Sequence, residues 1–300
     1  MSAENNRLNT QRVRRSFGKA AADYDRYAVL QRTITERLLE SFELIDINPR
    51  RVLDLGAGTG FGARLLKQKF KRASLVQVDL SHDMLALSRQ NSPRFFSGQQ
   101  FVCADASRLP FQTAQFDMIF SSLMLQWCSN LDEVFTELAG LLKPGGLFIF
   151  ASLGPDTLKE LRECWRRVDD DVHVNTFIDM HDIGDGLIRS GLNEPVLGVE
   201  HIKLLYDDAK TLMRELKGIG ARNANTGQRT TLTGKQRLQQ VLAHYESFRS
   251  DGKLPATYEA IYGHCWKSAT VRDTGHQQEQ VVSLDGLRQQ LKQRRGNQGQ

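Results

Sequence analysis

Val52-Leu-Asp-Leu-Gly-Ala-Gly-Thr-Gly60 is the stretch on which the reading of this chain turns. A short apolar run, Arg51–Leu55, enters three glycines at alternate positions, and Ala63–Lys69 beyond them has helical spacing. Glycine is needed where backbone must turn tightly and approach a ligand closely. A strand that feeds a helix through such a turn belongs to an open α/β sheet, whose ligands lie across the carboxyl ends of the strands. Working outward, strand-length apolar runs recur at Ser74–Asp79, Phe101–Cys103, Phe116–Ser121 and Gly146–Ala151. Helical stretches at Ser81–Gln90 and Leu131–Leu142 separate them, the first capped by Ser81 with Asp83 in its first turn. Nearly continuous apolar strands alternating with helices indicate a parallel sheet covered on both faces.

The glycine spacing and the acids around it select the ligand. A dinucleotide site has G-x-G-x-x-G, set by a pyrophosphate on a helix N-terminus. Here the run is Gly56-x-Gly58-x-Gly60, followed by Phe61, and Asp54 stands two residues before the first glycine. A carboxylate there repels pyrophosphate and suits a ligand with a sulfonium and an ammonium, which points to S-adenosylmethionine. Asp79 ends the second strand, where it can accept hydrogen bonds from both ribose hydroxyls. Asp105-Ala106 ends the third, where an acid can accept from the adenine amino group. The expected cofactor set is Asp54, Gly56, Gly58, Gly60, Asp79, Leu80, Met84, Asp105, Ala106 and Ser121. Asp117, at the start of its strand, is assigned structural work instead. No metal site is expected, because the four cysteines (Cys103, Cys128, Cys164, Cys265) are far apart with no C-x-x-C.

On either side of this core the pattern changes. Asn9–Tyr24 and Val29–Leu44 have helical periodicity. After Ser152 come helices at Asp156–Val168 and Asp179–Ser190, a strand at Val196–Tyr206, helices at Asp207–Ile219 and Thr233–Arg249 (the latter capped by Thr233), and a strand at Tyr258–Trp266. The expected fold is α/β: a doubly wound, mostly parallel seven-stranded sheet with a helical lid insertion and N-terminal capping helices. The expected divisions are an arm over 1–45 that caps the active site, a catalytic domain over 46–269 with its lid at about 207–253, and a disordered tail over 270–300.

The chain has 300 residues and a formal net charge of +5. Residues 1–30 hold six basic and three acidic side chains, and 270–300 hold five and three, so the body between them is neutral. A broad phosphate-binding face is therefore not expected, nor a nucleic-acid partner. No apolar run approaches the ~20 residues that span a bilayer, and the first fifteen residues lack the apolar segment of a secretory leader. With no disulfide framework, the cytoplasm is the expected location, and the chain is expected to work as a monomer.

The spacing D-x-G-x-G, then Asp79, then Asp105-Ala106, then Phe116-Asp117 resembles class I S-adenosylmethionine-dependent methyltransferases. More specific blocks follow. Phe17-Gly-Lys-Ala-Ala-Ala-Asp-Tyr24-Asp with Gln31, Leu125-Gln126-Trp127-Cys128, Leu153-Gly-Pro-Asp-Thr-Leu158, His173-Val-Asn-x-Phe177, Tyr206-Asp-Asp208, Leu216-Lys-Gly-Ile-Gly-Ala221 and Pro255-x-Thr-Tyr258 are similar to the malonyl-acyl-carrier-protein O-methyltransferases of biotin synthesis. They run from about residue 10 to 267. The resemblance implies transfer of a methyl group from S-adenosylmethionine to the free carboxylate of a malonyl thioester on acyl carrier protein.

Such a carboxylate is already ionised at neutral pH and needs no catalytic base. It does need a counter-group that leaves it nucleophilic, and Tyr24, Gln126, His181, Tyr206 and Arg222 are the substrate-positioning candidates. Trp127 and Phe177 are assigned to a pocket wall or the core, and His173 to a loop. Phe17 and Tyr24 on the first helix, with a lid around Tyr206 to Asn223, are expected to close over both ligands. Lys210, Arg214 and Lys217 stand opposite the apolar stripe of the lid helix, and with Arg12, Arg14 and Arg15 they form the expected docking patch for the acidic carrier. Two other readings share the core: a methyltransferase for another small acid or a quinone precursor, and a protein-modifying respiratory-complex assembly factor. The first would act on a free small acceptor; the second would bind the cofactor without methylating a malonyl thioester.

Overall fold

In the computed structural model, residues 8–41, 45–93, 98–221 and 234–269 are described. The strands are β1 (Arg51–Leu55), β2 (Ser74–Asp79), β3 (Gln99–Cys103), β4 (Phe116–Ser122), β5 (Leu142–Leu153), β6 (Leu192–Tyr206) and β7 (Leu254–Lys267). They form one seven-stranded sheet in the order β3-β2-β1-β4-β5-β7-β6. All neighbours are parallel up to β5; β7 runs antiparallel to both β5 and β6. The order reverses between β1 and β4, and the carboxyl ends of those two strands are where such a sheet leaves a crevice.

The helices are α1 (Thr10–Tyr27), α2 (Val29–Glu40), α3 (Phe61–Lys69), α4 (His82–Gln90), α5 (Leu131–Leu141), α6 (Lys159–Arg166), α7 (Met180–Arg189), α8 (Ala209–Gly218) and α9 (Lys235–Tyr245). Alternate strand residues feed two cores, as the period of two in a strand requires. Val52, Phe120 and Ile149 join Ile34 and Leu38 of α2, Leu66 of α3 and Leu161 of α6. Leu53, Ile119, Phe148 and Phe150 join Phe135 and Leu138 of α5 and Leu187 of α7. Among the described residues no helix is long and apolar enough to cross a membrane.

Several boundaries move, each for a tertiary reason. The helix expected from Asp156 starts only at Lys159, because Leu158 takes a left-handed φ of 55° and the Glu259 carboxylate accepts from the Asp156 amide at 2.7 Å. β5 begins at Leu142, four residues before the expected Gly146, passing through Lys143-Pro-Gly-Gly by a register shift. β6 begins at Leu192, four residues early, with its register shift between Asn193 and Val196. Tyr206 pairs with Leu254, so residues 207–253 are an insertion at the end of the β6–β7 hairpin. Thr233, as the expected cap of α9, and the whole of 270–300 lie outside the described residues.

Asp117 does the structural work expected of it. Its Oδ2 accepts from the backbone N–H of Arg50 (3.0 Å) and Arg51 (2.8 Å), and its Oδ1 from Lys143 Nζ (2.7 Å), tying the start of β1 to β4 and β5. Burial opposes its ionisation, but the Lys143 ammonium and the two backbone donors hold its carboxyl below the ordinary value. A depressed carboxyl pKa stabilises the fold above the unfolded value and loses that contribution as pH falls through the folded one. Replacing Asp117 with Ala should therefore cost about 1–3 kcal/mol in urea unfolding at pH 7, less at acid pH, with cofactor affinity unchanged. A wild-type urea midpoint at pH 7 would contradict this role.

Candidate functional site

The glycine loop is built to leave space. Gly56 and Ala57 donate backbone N–H to Val78 O at 2.8 and 3.0 Å, strapping the loop to β2. Gly56 has φ 80°, and a Cβ there would meet Met124 Cβ at 2.4 Å. Beside it opens a cavity of about 320 Å³ at the carboxyl ends of β1, β2, β3 and β4. Asp79 sits on its floor, with Oδ2 accepting from Gly58 N (2.9 Å) and Oδ1 from Ser81 N (2.8 Å). Burial pushes the Asp79 carboxyl up, and those two donors oppose the shift. Leu80, Met84, Asp105 and Ala106 also line the cavity, and Asp105 Oδ1 accepts from Ser107 N and Oγ.

The roof is α1. Thr10, Val13, Phe17 and Tyr24 line the cavity at spacings of three, four and seven, which place them on one helix face. Asn9 caps the helix by accepting from Arg12 N at 3.0 Å. Asp25 fixes its other end, accepting from Thr59 Oγ1 in the glycine loop at 2.6 Å. Outside α1 lies α8, where a Cβ on Gly218 would strike the Tyr27 ring at 2.3 Å, so that glycine permits the close approach of the two helices.

Phe17, Tyr24, Leu123 and Trp127 line this cavity and also a second one of about 100 Å³. Phe17 meets Trp127 edge-on, with centroids 5.1 Å apart. Leu123 and Leu158, both lining the second cavity, hold left-handed φ values of 56° and 55°. Such conformations cost a side-chain-bearing residue about 1–2 kcal/mol and concentrate at functional sites. The second cavity is mostly apolar, with Leu153, Leu161, Phe177 and Ile219 among its walls. Gln126 lines it with both ends of its amide engaged, Nε2 donating to Leu123 O (2.8 Å) and Oε1 accepting from Ser152 Oγ (3.5 Å). Tyr24 is half-buried, and burial first, then Asp79 and Asp25, pushes its phenol far up.

Behind Tyr24 a small polar cavity is lined by Gln31, Asp54, Thr59 and Ser122. Two buried acceptors there, Asp54 Oδ2 and Gln31 Oε1, have no hydrogen-bond partner in the fold.

The structure redistributes the expected residues. Gly56, Gly58, Asp79, Leu80, Met84, Asp105 and Ala106 line the main cavity, and Asp54 the polar one behind it. Gly60 lines neither: it caps α3 at φ 83°, where a Cβ would meet Ser88 Oγ at 2.2 Å. Ser121 is a correction. It is fully buried and donates to Leu55 O at 3.0 Å, whereas its neighbour Ser122 lines the cavities. His181 is a second correction, since it lies exposed in the first turn of α7 against Asp179. Tyr206 is a third; its hydroxyl donates to Glu215 Oε2 at 2.7 Å, so it fastens β6 to α8 within the core. Arg222 lies outside the described residues. Arg14, Arg15, Lys210, Arg214 and Lys217 are exposed on α1 and α8, and Arg12 is half-buried. Sequence reasoning missed Leu123, Ser122 and Glu133 as lining residues, and set aside His173, which lines the second cavity.

Among the described residues no Lys or Arg lines the main cavity, whereas Asp79, Asp105 and Glu133 do. That donor set fits a cationic, phosphate-free cofactor. S-adenosylmethionine would be held by Asp79, Asp105 and the glycine loop.

Asp54 also marks the protein's pH dependence. Burial first, and then the charge of Asp79, pushes its carboxyl up to about 7. A carboxyl raised above its unfolded value weakens the fold as pH climbs between those two values, and the cost persists above them. In the ligand-free protein, Asp54→Asn should therefore raise the thermal midpoint more at pH 8 than at pH 5. Equal shifts at both would contradict an unpaired buried carboxylate.

Comparison with known proteins agrees with this geometry. A methyltransferase-domain family profile matches residues 53–150. The malonyl-acyl-carrier-protein O-methyltransferase of Methylovorus sp. is 48% identical over 96% of this chain and 96% of its own length. Its counterpart from Laribacter hongkongensis is 48% identical over 86% of this chain and 89% of its own. The biotin biosynthesis bifunctional protein BioHC of Cellvibrio japonicus is 40% identical over 85% of this chain, which matches 50% of that protein. Among solved structures, the YcgJ protein of Bacillus subtilis superposes with a TM-score of 0.56 at 18% identity, over 79% of this chain and 98% of its own. With relatives of such identity spanning nearly all of both chains, this chain belongs to the malonyl-acyl-carrier-protein O-methyltransferase family.

Proposed function

We infer that this protein transfers the methyl group of S-adenosylmethionine to the free carboxylate of a malonyl thioester on acyl carrier protein, giving the methyl ester used in biotin synthesis. The observation that carries this reading is the pair of cavities sharing one wall: an acidic one suited to a cationic cofactor, and a neutral, mostly apolar one suited to a short acyl chain. The cofactor supplies an electrophilic methyl group on its sulfonium. Everything else is asked of the chain's own residues.

They have little proton chemistry to do. The acceptor is ionised at neutral pH. Tyr24 keeps its proton, because burial and two nearby carboxylates push its phenol far up, so it can donate a hydrogen bond but not abstract a proton. Cys128, on the cofactor cavity, is pushed up to about 12 by burial and then by Asp105, so it stays a thiol. The rate then comes mainly from holding two reactants in line, the role of Phe17, Tyr24, Leu123 and Trp127. The second cavity has no lysine or arginine among its described lining residues. A wall without lysine or arginine leaves the carboxylate's charge only partly paired, which preserves its nucleophilicity.

The arm over 1–45 and the insertion over 207–253 close over both ligands in this proposal, supported by Leu216, Ile219 and Ala221 reaching the second cavity beside α1. The carrier docks on the cations of α1 and α8: half-buried Arg12 with exposed Arg14 and Arg15 on one, and exposed Lys210, Arg214 and Lys217 on the other. The close approach of these helices supports a single patch. Operation as a monomer in a reducing cytoplasm, without nucleic acid or membrane, completes the proposal, and the absence of a disulfide among Cys103, Cys128, Cys164 and Cys265 supports the location.

Labelled S-adenosylmethionine and malonyl-carrier protein should yield a labelled methyl ester that mild base releases. Cofactor binding without transfer would overturn the acceptor assignment. Reversing charge at Lys210 and Arg214 should raise KM for malonyl-carrier protein about tenfold or more while leaving KM for malonyl-coenzyme A nearly unchanged; equal effects would remove the docking patch.

A further inference from the structure

The second cavity has a feature that its neutral walls do not explain. Among its described lining residues, His173 is the one side chain able to carry a positive charge. It precedes two buried residues, Val174 and Asn175. Its Nε2 lies 2.7 Å from Asp169 Oδ1, and its ring stacks on Trp165 of α6 with centroids 3.6 Å apart and planes 12° from parallel. Both members of the pair are largely enclosed, with side-chain exposures of 16% and 12%. Arg237 of α9 backs Asp169, with Nη1 3.3 Å from its Oδ2 and 4.0 Å from Asp171 Oδ2. Burial works against ionised Asp169, but the hydrogen bond and charge of His173 hold its carboxyl below the ordinary value.

A ring stacked on one side and bonded at one nitrogen has a fixed orientation. The bond to Asp169 occupies Nε2 and leaves Nδ1 available to a ligand, and in the imidazolium form both nitrogens carry a proton to donate. Two of the other polar groups in the cavity are already drawn into the fold. Gln126 uses both ends of its amide, and Thr157 Oγ1 accepts from Glu259 N at 3.1 Å. We propose that His173, protonated at both nitrogens, is a substrate-binding residue whose Nδ1–H donates to the non-reacting oxygen of the malonyl carboxylate, with Asp169 and Trp165 as the positioning residues that aim it. This rests on the methyl-acceptor assignment above. The contact also separates substrate from product: methylation removes the carboxylate charge, so the hydrogen bond weakens once the ester has formed and the product is released.

Full-length enzyme saturated with S-adenosylhomocysteine, which cannot donate a methyl group, allows binding to be measured without turnover. His173→Phe keeps a ring on Trp165 but removes both donors. It should weaken malonyl-carrier protein binding about tenfold to a hundredfold, as expected for a lost charge-assisted hydrogen bond. Affinity for the malonyl methyl ester on the same carrier should stay within about twofold, and so should affinity for S-adenosylhomocysteine. In turnover the loss should fall on KM rather than kcat. His173→Asn, which returns a neutral donor near the Nδ1 position, should recover part of the affinity, and Asp169→Asn should show a smaller loss of the same kind. Equal weakening of acid and ester, or a loss confined to kcat or to cofactor binding, would overturn the proposal. The reading beneath it fails separately, if the wild-type enzyme methylates no malonyl thioester.

Discussion

Two carboxylates, one buried and one half-buried, at the carboxyl ends of neighbouring strands set the terms for this site. Asp54 and Asp79 sit on β1 and β2, deep enough that burial raises the pKa of both, and the charge of Asp79 raises Asp54 further. Asp79 is made tolerable by backbone donors from the glycine loop and from the residue that caps α4. Asp54 has an oxygen with no partner at all. A buried acid with an unpartnered oxygen has a cost that a cationic ligand can remove, and no Lys or Arg is among the described residues that line the neighbouring main cavity. The glycines, the sheet reversal between β1 and β4, and the cap on α4 all serve to hold these two acids in place.

The second consequence is a partition. Because α1 is tied near its start by Ser129 Oγ, which donates to Leu8 O, and near its end by the bond from Thr59 to Asp25, its aromatic face lies across the main cavity. Phe17 and Tyr24, with Leu123 and Trp127 below, then divide the space into an acidic chamber and an apolar one. A methyl group passing from a cation to an anion needs alignment and exclusion of water more than proton transfer. The far-raised Tyr24 phenol and the inert Cys128 thiol fit that economy of chemistry.

What could be read from the sequence follows a physical divide. Gly56, Gly58, Asp79 and Asp105 were legible because their roles depend on contiguous chain: a turn, a strand end, a cap. Asp117 was legible as structural from its place at the start of β4. Ser121 was misread for Ser122 because a strand reverses its faces at each residue, and a one-residue error in phase exchanges cavity for core. His181 and Tyr206 were chosen for their chemistry, with no knowledge of which way α7 and β6 faced; one meets solvent and the other Glu215. His173 was passed over as a loop residue because what gives it meaning, Asp169, Trp165 and Arg237, comes together only in the fold. The acceptor class was not written in the glycine loop, which many methyltransferases share, but in the blocks after Ser152 that now surround the second cavity.

The account stands or falls on the shared wall. A crystal structure with S-adenosylhomocysteine and a malonyl thioester bound together tests it most directly. The adenosine should lie between Asp79 and Asp105, with the cofactor sulfur at Phe17, Tyr24 and Trp127, and the malonyl carboxylate should approach it from the second cavity. A malonyl group bound outside that cavity, or separated from the cofactor by an unbroken wall of protein, would contradict it.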